Sequence, residues 1–262
     1  MNLTMKALRT VIAKLVRAGL GFTIVNPNGL LGFTTIQDAV DFVATKGGGK
    51  IHVAPGTYYE NIDITSDNIH IIGSGMKVTI VDGASVDHAA FLLQDAEWCS
   101  LSDMTIQTDE GGGTTNGYGV RQNNGNFCQY HRLDFPECDQ TALIMIGTNS
   151  YNIVANCVIP KDDHDGYSAI DISCSTGEFN LTIGCIAVGS AGNLYGFSHS
   201  GDTSAIVGCI FDGNTSTYGM LLATAAANSL ISGCICSNVL STDLWDQAGT
   251  GHVDITYTNE VS

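Results

Sequence analysis

The chain has 262 residues, of which ten are basic and 26 acidic, so its formal net charge is −16. Such an acidic surface repels phosphate backbones and anionic lipid surfaces, which argues against nucleic acid as a partner and disfavours a membrane. The sequence contains no run of 18 or more apolar residues, which excludes a transmembrane helix. One elongated domain fits the length, and 31 glycines suit a fold with many tight turns.

Residues 1–17 differ in charge from everything that follows. They carry four basic residues and no acid, whereas residues 18–262 hold six basic and 26 acidic residues. Five apolar residues here follow the spacing of an amphipathic helix: Leu8, Val11, Ile12, Leu15 and Val16. Basic residues interrupt the segment, so a signal peptide is not expected. We predict that residues 1–30 are a separate helix and linker. Residues 1–24 would bind either another protein of the same particle or the chain's own oligomer, with a membrane surface as the less favoured alternative.

A second, shorter helix is predicted just after residue 33. Its apolar face consists of Ile36, Ala39, Val40 and Val43, and its N-cap is Thr34 or Thr35. Such a helix would cover the first rung of a stacked β-structure, where strand edges are otherwise exposed.

Six segments in the rest of the chain repeat one template, and their starts lie 24 to 29 residues apart. They cover 99–106, 128–135, 152–159, 180–187, 204–211 and 229–236. The sixth residue of each segment is apolar and is predicted to face the interior: Met104, Leu133, Cys157, Cys185, Cys209 and Cys234. The residue before it is predicted to form a left-handed bend between two strands: Asp103, Arg132, Asn156, Gly184, Gly208 and Gly233. Arg132 is the exception, because a long side chain is unusual in that conformation.

A third strand is predicted in every unit, from residues 118–122 in the first to 242–246 in the last. Units of about 25 residues with three short strands indicate a solenoid, because one unit is too small to bury its own apolar face. The predicted fold class is therefore all-β. It is a right-handed parallel β-helix of about eight rungs over residues 31–262, with an N-terminal capping helix and the separate amphipathic helix.

Residues 33–75 contain a helix, a Gly-rich turn, a strand and the motif Pro55-Gly56-Thr57-Tyr58-x-Glu60. This arrangement resembles the N-terminal part of the pectin-lyase-like superfamily, which includes pectin methylesterases and phage tailspikes. The resemblance implies the β-helix fold. It implies less about activity, because the catalytic signatures of pectin methylesterases, pectate lyases and polygalacturonases have no convincing match later in the chain.

The nine cysteines are interpreted as buried thiols, because four occupy the same slot of successive rungs. Stacked Cβ atoms that point in the same direction are poorly placed for disulfides. The odd count and the ladder fit assembly in a reducing host cytoplasm.

The best candidate for chemistry is the acidic segment 160–171. Asp162, Asp163 and Asp171 could supply a general acid and a base or nucleophile to a polysaccharide-degrading enzyme. Asp163, His164 and Asp165 could hold Ca²⁺ or a transition-metal ion, although no cofactor is otherwise expected. The alternative is a solvated acidic loop.

Two outward rows suggest contacts with other molecules. On the third strand, a column of Gly and Ala lies beside a row that is predicted to expose Ile144, Leu221 and Trp245, as a subunit interface would. On the second strand the row Val158, Ile186, Ile210 and Ile235 is apolar, and these residues are either exposed or core.

The favoured function is a virion-associated structural or glycan-binding β-helix of the tailspike or decoration type, without catalytic activity. It would form a homo-oligomer, in the first place a trimer, and would contact other virion proteins through residues 1–24 and surface glycans through the rod. The first alternative is a glycoside hydrolase or polysaccharide lyase that uses the acids near 162–171, and the second is a cellular β-helix scaffold.

Overall fold

The structure is a computed structural model that describes thirteen stretches of the chain. They are residues 23–29, 32–83, 88–108, 117–138, 140–160, 168–174, 178–189, 195–200, 203–213, 218–222, 229–238, 242–246 and 256–259. The predicted amphipathic helix within residues 1–22 lies outside them.

The described residues form one helix and 23 short strands. In chain order they are β1 (Thr23–Val25), α1 (Ile36–Ala44), β2 (Gly49–Val53), β3 (Gly56–Tyr59), β4 (Ile62–Ile64), β5 (Ile69–Ile72), β6 (Thr79–Gly83), β7 (Phe91–Gln94), β8 (Ser100–Thr108), β9 (Val120–Asn126), β10 (Gln129–Asp134), β11 (Leu143–Ser150), β12 (Ile153–Ala155), β13 (Val158–Ile159), β14 (Ser168–Cys174), β15 (Leu181–Ile183), β16 (Ile186–Val188), β17 (Tyr195–His199), β18 (Ala205–Val207), β19 (Ile210–Asp212), β20 (Tyr218–Leu222), β21 (Leu230–Ser237), β22 (Thr242–Asp246) and β23 (Thr256–Asn259).

These strands pair in parallel and build two sheets. Sheet A has 15 strands, and its long path runs from β1 through β2, β5, β8, β10, β12, β15 and β18 to β21. Sheet B has eight strands, in the order β4, β7, β9, β11, β14, β17, β20, β22. Each unit contributes one strand to sheet B and a bent pair to sheet A, so the eight stacked strands of sheet B enclose seven turns. The predicted parallel β-helix is thereby confirmed.

The bends in sheet A lie where the repeat predicts them. All six predicted residues have a left-handed backbone, with φ between 50° at Arg132 and 63° at Gly233. The exception, Arg132, forms a two-point ion pair with Asp103, the bend residue of the preceding rung. Its Nε and Nη2 donate to the two carboxylate oxygens at 2.6 and 2.7 Å. The hydrogen bond to Arg132 lowers the pKa of the Asp103 carboxyl. We infer that this contact offsets the backbone cost of a long side chain at the bend.

The interior column is also as predicted, because its six residues, from Met104 to Cys234, are at most 1% exposed. All nine cysteines are buried and none forms a disulfide. Burial raises the pKa of the Cys174 thiol to about 12, so it is un-ionised and unreactive at neutral pH.

The helix α1 covers the first rung with the predicted face, since Ile36, Ala39, Val40 and Val43 are buried. Its N-cap is Thr35, whose hydroxyl accepts a hydrogen bond from the Asp38 amide at 3.2 Å. Glu60 completes the cap, because its carboxylate accepts from the Ile36 and Gln37 amides at 2.8 and 3.0 Å. A negative charge at these amides is stabilised by the helix dipole. The acidic residue of the Pro-Gly-Thr-Tyr-x-Glu motif thus joins the capping helix to the β-helix.

The expectation of an interface on sheet B is wrong for the small-residue column. Gly119, Ala142, Ala169 and Gly196 are all buried. A Cβ atom at Gly119 would lie 2.8 Å from the Phe135 ring, and one at Gly196 would lie 2.4 Å from the Phe211 ring. Internal packing therefore requires small residues here.

The row beside that column is less exposed than predicted. Leu221 is 7% exposed and therefore buried, and Ile144 is half-buried. The side chain of Trp245 lies outside the described residues.

Candidate functional site

The outward face of sheet B brings polar residues from several rungs into one column. Arg121 of β9 is in register with Ile144 of β11, which is in register with Asp171 of β14. The column continues to Ser198 of β17. Parallel strands are about 4.8 Å apart, so Arg121 and Asp171 are separated by roughly 10 Å. Alternation along β14 orients Asp171 outward, because Ile170 and Ile172 occupy the interior.

Asp171 is the candidate acid that the structure describes. The hydroxyl of Ser173 donates to its Oδ1 at 2.8 Å. Burial raises the pKa of the Asp171 carboxyl, while hydrogen bonds from Ser173 and Ser198 act in the opposite direction. A half-buried carboxyl that holds its proton more tightly than usual can act as a general acid.

A network of amides extends from Arg121 towards the first rungs. The Arg121 Nε donates to Asn123 Oδ1 at 3.0 Å, and Asn123 Nδ2 donates to Gln94 Oε1 at 2.9 Å. Gln94 in turn donates to Asp95 at 2.7 Å. The Arg121 guanidinium also lies over the Tyr118 ring, 5.6 Å from its centroid. Amides, a guanidinium and an aromatic ring are groups that bind the hydroxyls, carboxylates and ring faces of sugars.

The other predicted site residues lie outside the described part of the chain. These are Asp162 and Asp163 for catalysis and Asp163, His164 and Asp165 for a metal ion. The structure therefore places Asp171 but not a second carboxylate beside it. Within the described residues no three His, Cys, Asp or Glu side chains cluster as metal ligands would.

A search of the same residues finds no helix with the length and apolarity needed to span a membrane.

Four aromatic rings form a stack that sequence reasoning did not identify. Trp98, Phe127, Tyr151 and Phe179 lie one above another, with centroids 4.0, 5.0 and 5.2 Å apart and planes within 14° of parallel. Each immediately precedes a repeated segment, and that position was the available signal. All four have a left-handed backbone, with φ between 56° and 59°. Three of them are exposed by about half: Trp98, Tyr151 and Phe179.

The aromatic stack stabilises the fold and offers little surface on which a sugar ring could bind. The rings cover each other's faces, so only the outer faces of Trp98 and Phe179 remain for a ligand. Stacked pairs contribute about 0.5–1.5 kcal/mol each beyond area burial. That contribution acts against the cost of bulky residues in the left-handed region.

Substitution of Phe127 should separate these two effects. Phe127→Ala is expected to lower the free energy of unfolding by about 1–3 kcal/mol, because two stacked pairs are lost. Phe127→Gly loses the same pairs but relieves the left-handed backbone, so it should be about 1 kcal/mol more stable than Phe127→Ala. Urea unfolding of wild type and the two Phe127 variants gives the order of their free energies of unfolding.

Tyr59→Ala is the control, because Tyr59 is an exposed aromatic residue outside the stack. It should change the free energy of unfolding little. If Phe127→Ala were as stable as Phe127→Gly, the left-handed backbone at residue 127 would have no measurable cost.

Three comparisons with known proteins bear on this site. The family model described as Pectinesterase matches residues 23–124. Pectinesterase 2 from Citrus sinensis is 36% identical over 78 residues, which are 29% of this chain and 15% of that protein. This chain therefore matches a small part of that relative, and the family-model match ends before Asp171.

Two solved virus proteins share the fold over most of this chain. ORF18 of Geobacillus virus E2 superposes with a TM-score of 0.61 and 15% identity, covering 97% of this chain and 63% of that one. The N-terminal fragment of gene product 12 from bacteriophage Phi29 gives a TM-score of 0.60 and 12% identity, covering 92% and 46%. At these identities the likeness concerns the fold.

Proposed function

We propose that this parallel β-helix is a virion-associated protein that binds glycans without cleaving them. In this proposal it is a component of the tailspike or decoration type, forms a homo-oligomer, in the first place a trimer, and assembles in the host cytoplasm. The likeness to virus-encoded β-helices supports the virion role. The buried thiols are compatible with assembly in a reducing compartment.

The observation that carries glycan binding is the polar face of sheet B. Arg121, Asn123 and Gln94 are linked by hydrogen bonds, and the Asp171 carboxyl lies in the Arg121 column two strands away. Arg121 and Asp171 are about 10 Å apart with Ile144 between them, so a sugar could contact the guanidinium and the carboxyl on either side of an apolar side chain. The rod's negative charge favours a neutral glycan, or an acidic one whose carboxylate meets Arg121.

A second candidate function is polysaccharide cleavage, by a hydrolase or a lyase. The raised pKa of Asp171 favours it. The similarity of residues 23–124 to the Pectinesterase model supports carbohydrate processing in general, because an esterase does not cleave glycosidic bonds. Asp162 or Asp163 would have to supply the second carboxylate, about 5–5.5 Å from Asp171 for a retaining and 6.5–9.5 Å for an inverting hydrolase. A Ca²⁺ ion held by Asp163, His164 and Asp165 would serve a lyase by neutralising an acidic substrate.

Asp171→Asn separates the two functions. We expect the wild-type protein to bind members of a panel of bacterial and algal polysaccharides without releasing reducing ends or unsaturated products. The variant should lose a large part of that binding. Turnover by the wild-type protein that disappears in Asp171→Asn would establish the enzyme instead. Absence of both binding and turnover would contradict the glycan-binding proposal.

The same variant carries a stability prediction that does not depend on a ligand. Because the folded pKa of Asp171 is raised, its contribution to stability is present below the unfolded pKa near 4 and is lost as the pH rises through the folded value. Asp171→Asn should therefore be more stable than wild type at pH 7. Asp63→Asn, at an exposed position of the same column, should leave stability nearly unchanged.

A further inference from the structure

The outward face of sheet A changes from polar to apolar halfway along the rod. In the first of three columns, the residues Lys50, His70, Ser100 and Gln129 are followed in register by Ile153, Leu181, Ala205 and Leu230. In the column after the bend, Thr57, Ile80, Thr105 and Asp134 are followed by Val158, Ile186, Ile210 and Ile235. The third column contains His52, Ile72, Ser102 and His131, followed by Ala155, Ile183, Val207 and Ser232. Ile72 and Ile80 are therefore apolar exceptions in the first half, and Ser232 is a polar exception in the second.

The apolar half is called the aliphatic face. It comprises Ile153, Leu181, Ala205, Leu230, Ile183, Val207, Val158, Ile186, Ile210 and Ile235. Four of its isoleucines are substantially exposed: Ile183 at 38%, Ile186 at 42%, Ile210 at 40% and Ile235 at 39%. The sequence left open whether the row after the bend is core or surface, and the structure places it on the surface. Continuous apolar surface of this kind marks an interaction site.

The charge around the aliphatic face indicates what covers it. No Lys or Arg follows Lys161 in the sequence, whereas eleven acids do. Two of these acids flank the face: the exposed Glu178 precedes β15, and Asp212 ends β19. A partner should therefore combine an apolar surface with positive charge.

Residues 1–17 of this chain have that composition. They carry Lys6, Arg9, Lys14 and Arg17, no acid, and one apolar stripe at helical spacing. As a helix, the 12 residues from 6 to 17 would be about 18 Å long. The two outer strands of the four rungs in the aliphatic face are about 14 Å apart, and the face is about 19 Å wide when the width of those strands is included. The segment therefore fits the aliphatic face in length, its apolar stripe fits the apolar surface, and its positive charge is complementary to the flanking acids.

The length of the linker between residue 17 and β1 determines whether a chain can cover its own aliphatic face. β1 and β12 are five strands apart in sheet A, or about 24 Å. Residues 17 to 23 span at most about 21 Å when fully extended. Even when fully extended, this linker falls about 3 Å short of β12, so a chain cannot place residues 6–17 over its own aliphatic face. A second copy has no such constraint.

We propose that the aliphatic face binds the basic N-terminal segment, residues 1–17, of a second copy of this chain. Of the two partners that the sequence allows for residues 1–24, this assigns the segment to the oligomer. The contact is heterologous, because segment and face are different surfaces, so its repetition closes a ring such as a trimer or extends a filament. The inference does not depend on glycan binding.

The test measures self-association of the full-length chain by sedimentation, with two variants and a control. The face variant carries Ile186→Lys and Ile210→Lys, and the segment variant carries Leu8→Asp and Leu15→Asp. Each should weaken association about 100-fold, because loss of each buried side chain costs on the order of tenfold. Val78→Lys replaces an apolar residue that is 45% exposed outside the face, and it should associate like wild type.

Mixing the two variants identifies the type of contact. The face variant retains an intact segment and the segment variant retains an intact face, so an equimolar mixture should restore a two-chain species. A mixture that remains monomeric would overturn the proposal. A wild-type chain that sediments as a 27.5 kDa monomer, or a segment variant that associates like wild type, would overturn it as well. Circular dichroism of each variant establishes that the rod is folded, and Ile186 and Ile210 lie on its surface.

Discussion

Lowering the pH from 7 to 5 should reduce the free energy of unfolding by about 2 kcal/mol through His199 alone. This side chain is fully buried, and its Nε2 lies 2.9 Å from the Thr182 hydroxyl. Its Nδ1 has no hydrogen-bond partner among the described residues. Burial lowers the pKa of His199 to about 3. Between that value and the ordinary 6.5 the unfolded chain binds a proton that the folded chain does not. The stabilising contribution is therefore complete above pH 6.5 and declines as the pH falls.

The measurement is urea unfolding at half-unit steps between pH 5 and 7.5, on wild type and His199→Gln. His70 and His131 also have lowered pKa values because of burial, but both remain in the variant, so the difference between the curves isolates His199. The difference should change by about 1.4 kcal/mol per pH unit below pH 6. Parallel curves would show that His199 takes up its proton inside the fold.

Phe211→Ala should lower the free energy of unfolding by about 3–5 kcal/mol, because it leaves a cavity in the core. Phe211 is fully buried and contacts Phe197 edge to face, with centroids 6.2 Å apart. Gly196→Ala should cost about 1–3 kcal/mol in the wild-type background, since its new methyl group would lie 2.4 Å from the Phe211 ring. In the Phe211→Ala background the same methyl group enters the cavity and should cost nothing or stabilise.

A double-mutant cycle by urea unfolding gives the coupling directly, and we expect at least about 1 kcal/mol. Gly119 provides the matched control, because its Cβ would meet the Phe135 ring and the Ala142 carbonyl rather than Phe211. Gly119→Ala should therefore cost the same in both backgrounds. If the costs of Gly196→Ala and Phe211→Ala were additive, contact with the Phe211 ring would not be the reason for a small residue at position 196.

The rungs, their bends and their interior column followed from the repeats. Stacked rungs share one geometry, so each position has one steric requirement, and the chain meets it again about every 25 residues. Cys157 and Cys185 are buried for the same reason, and Gly184 and Gly208 lie at bends because a left-handed backbone favours residues without a Cβ. Even Arg132 adopts the bend conformation that the repeat assigns to it.

The sequence repeats do not show which outward residues are covered by other parts of the chain. Alternation along a strand gives the direction of a side chain, but its exposure depends on neighbouring rungs and loops. Gly196 and Leu221 are buried although their strand positions suggested a surface, while Ile186 and Ile210 on a similar row are exposed. The pKa of His199 depends on burial. That of Asp171 depends on burial and on hydrogen bonds from Ser173 and from Ser198, which is on the next strand of the sheet. Those contacts exist only once the rungs are stacked, because only then do residues far apart in sequence share one environment.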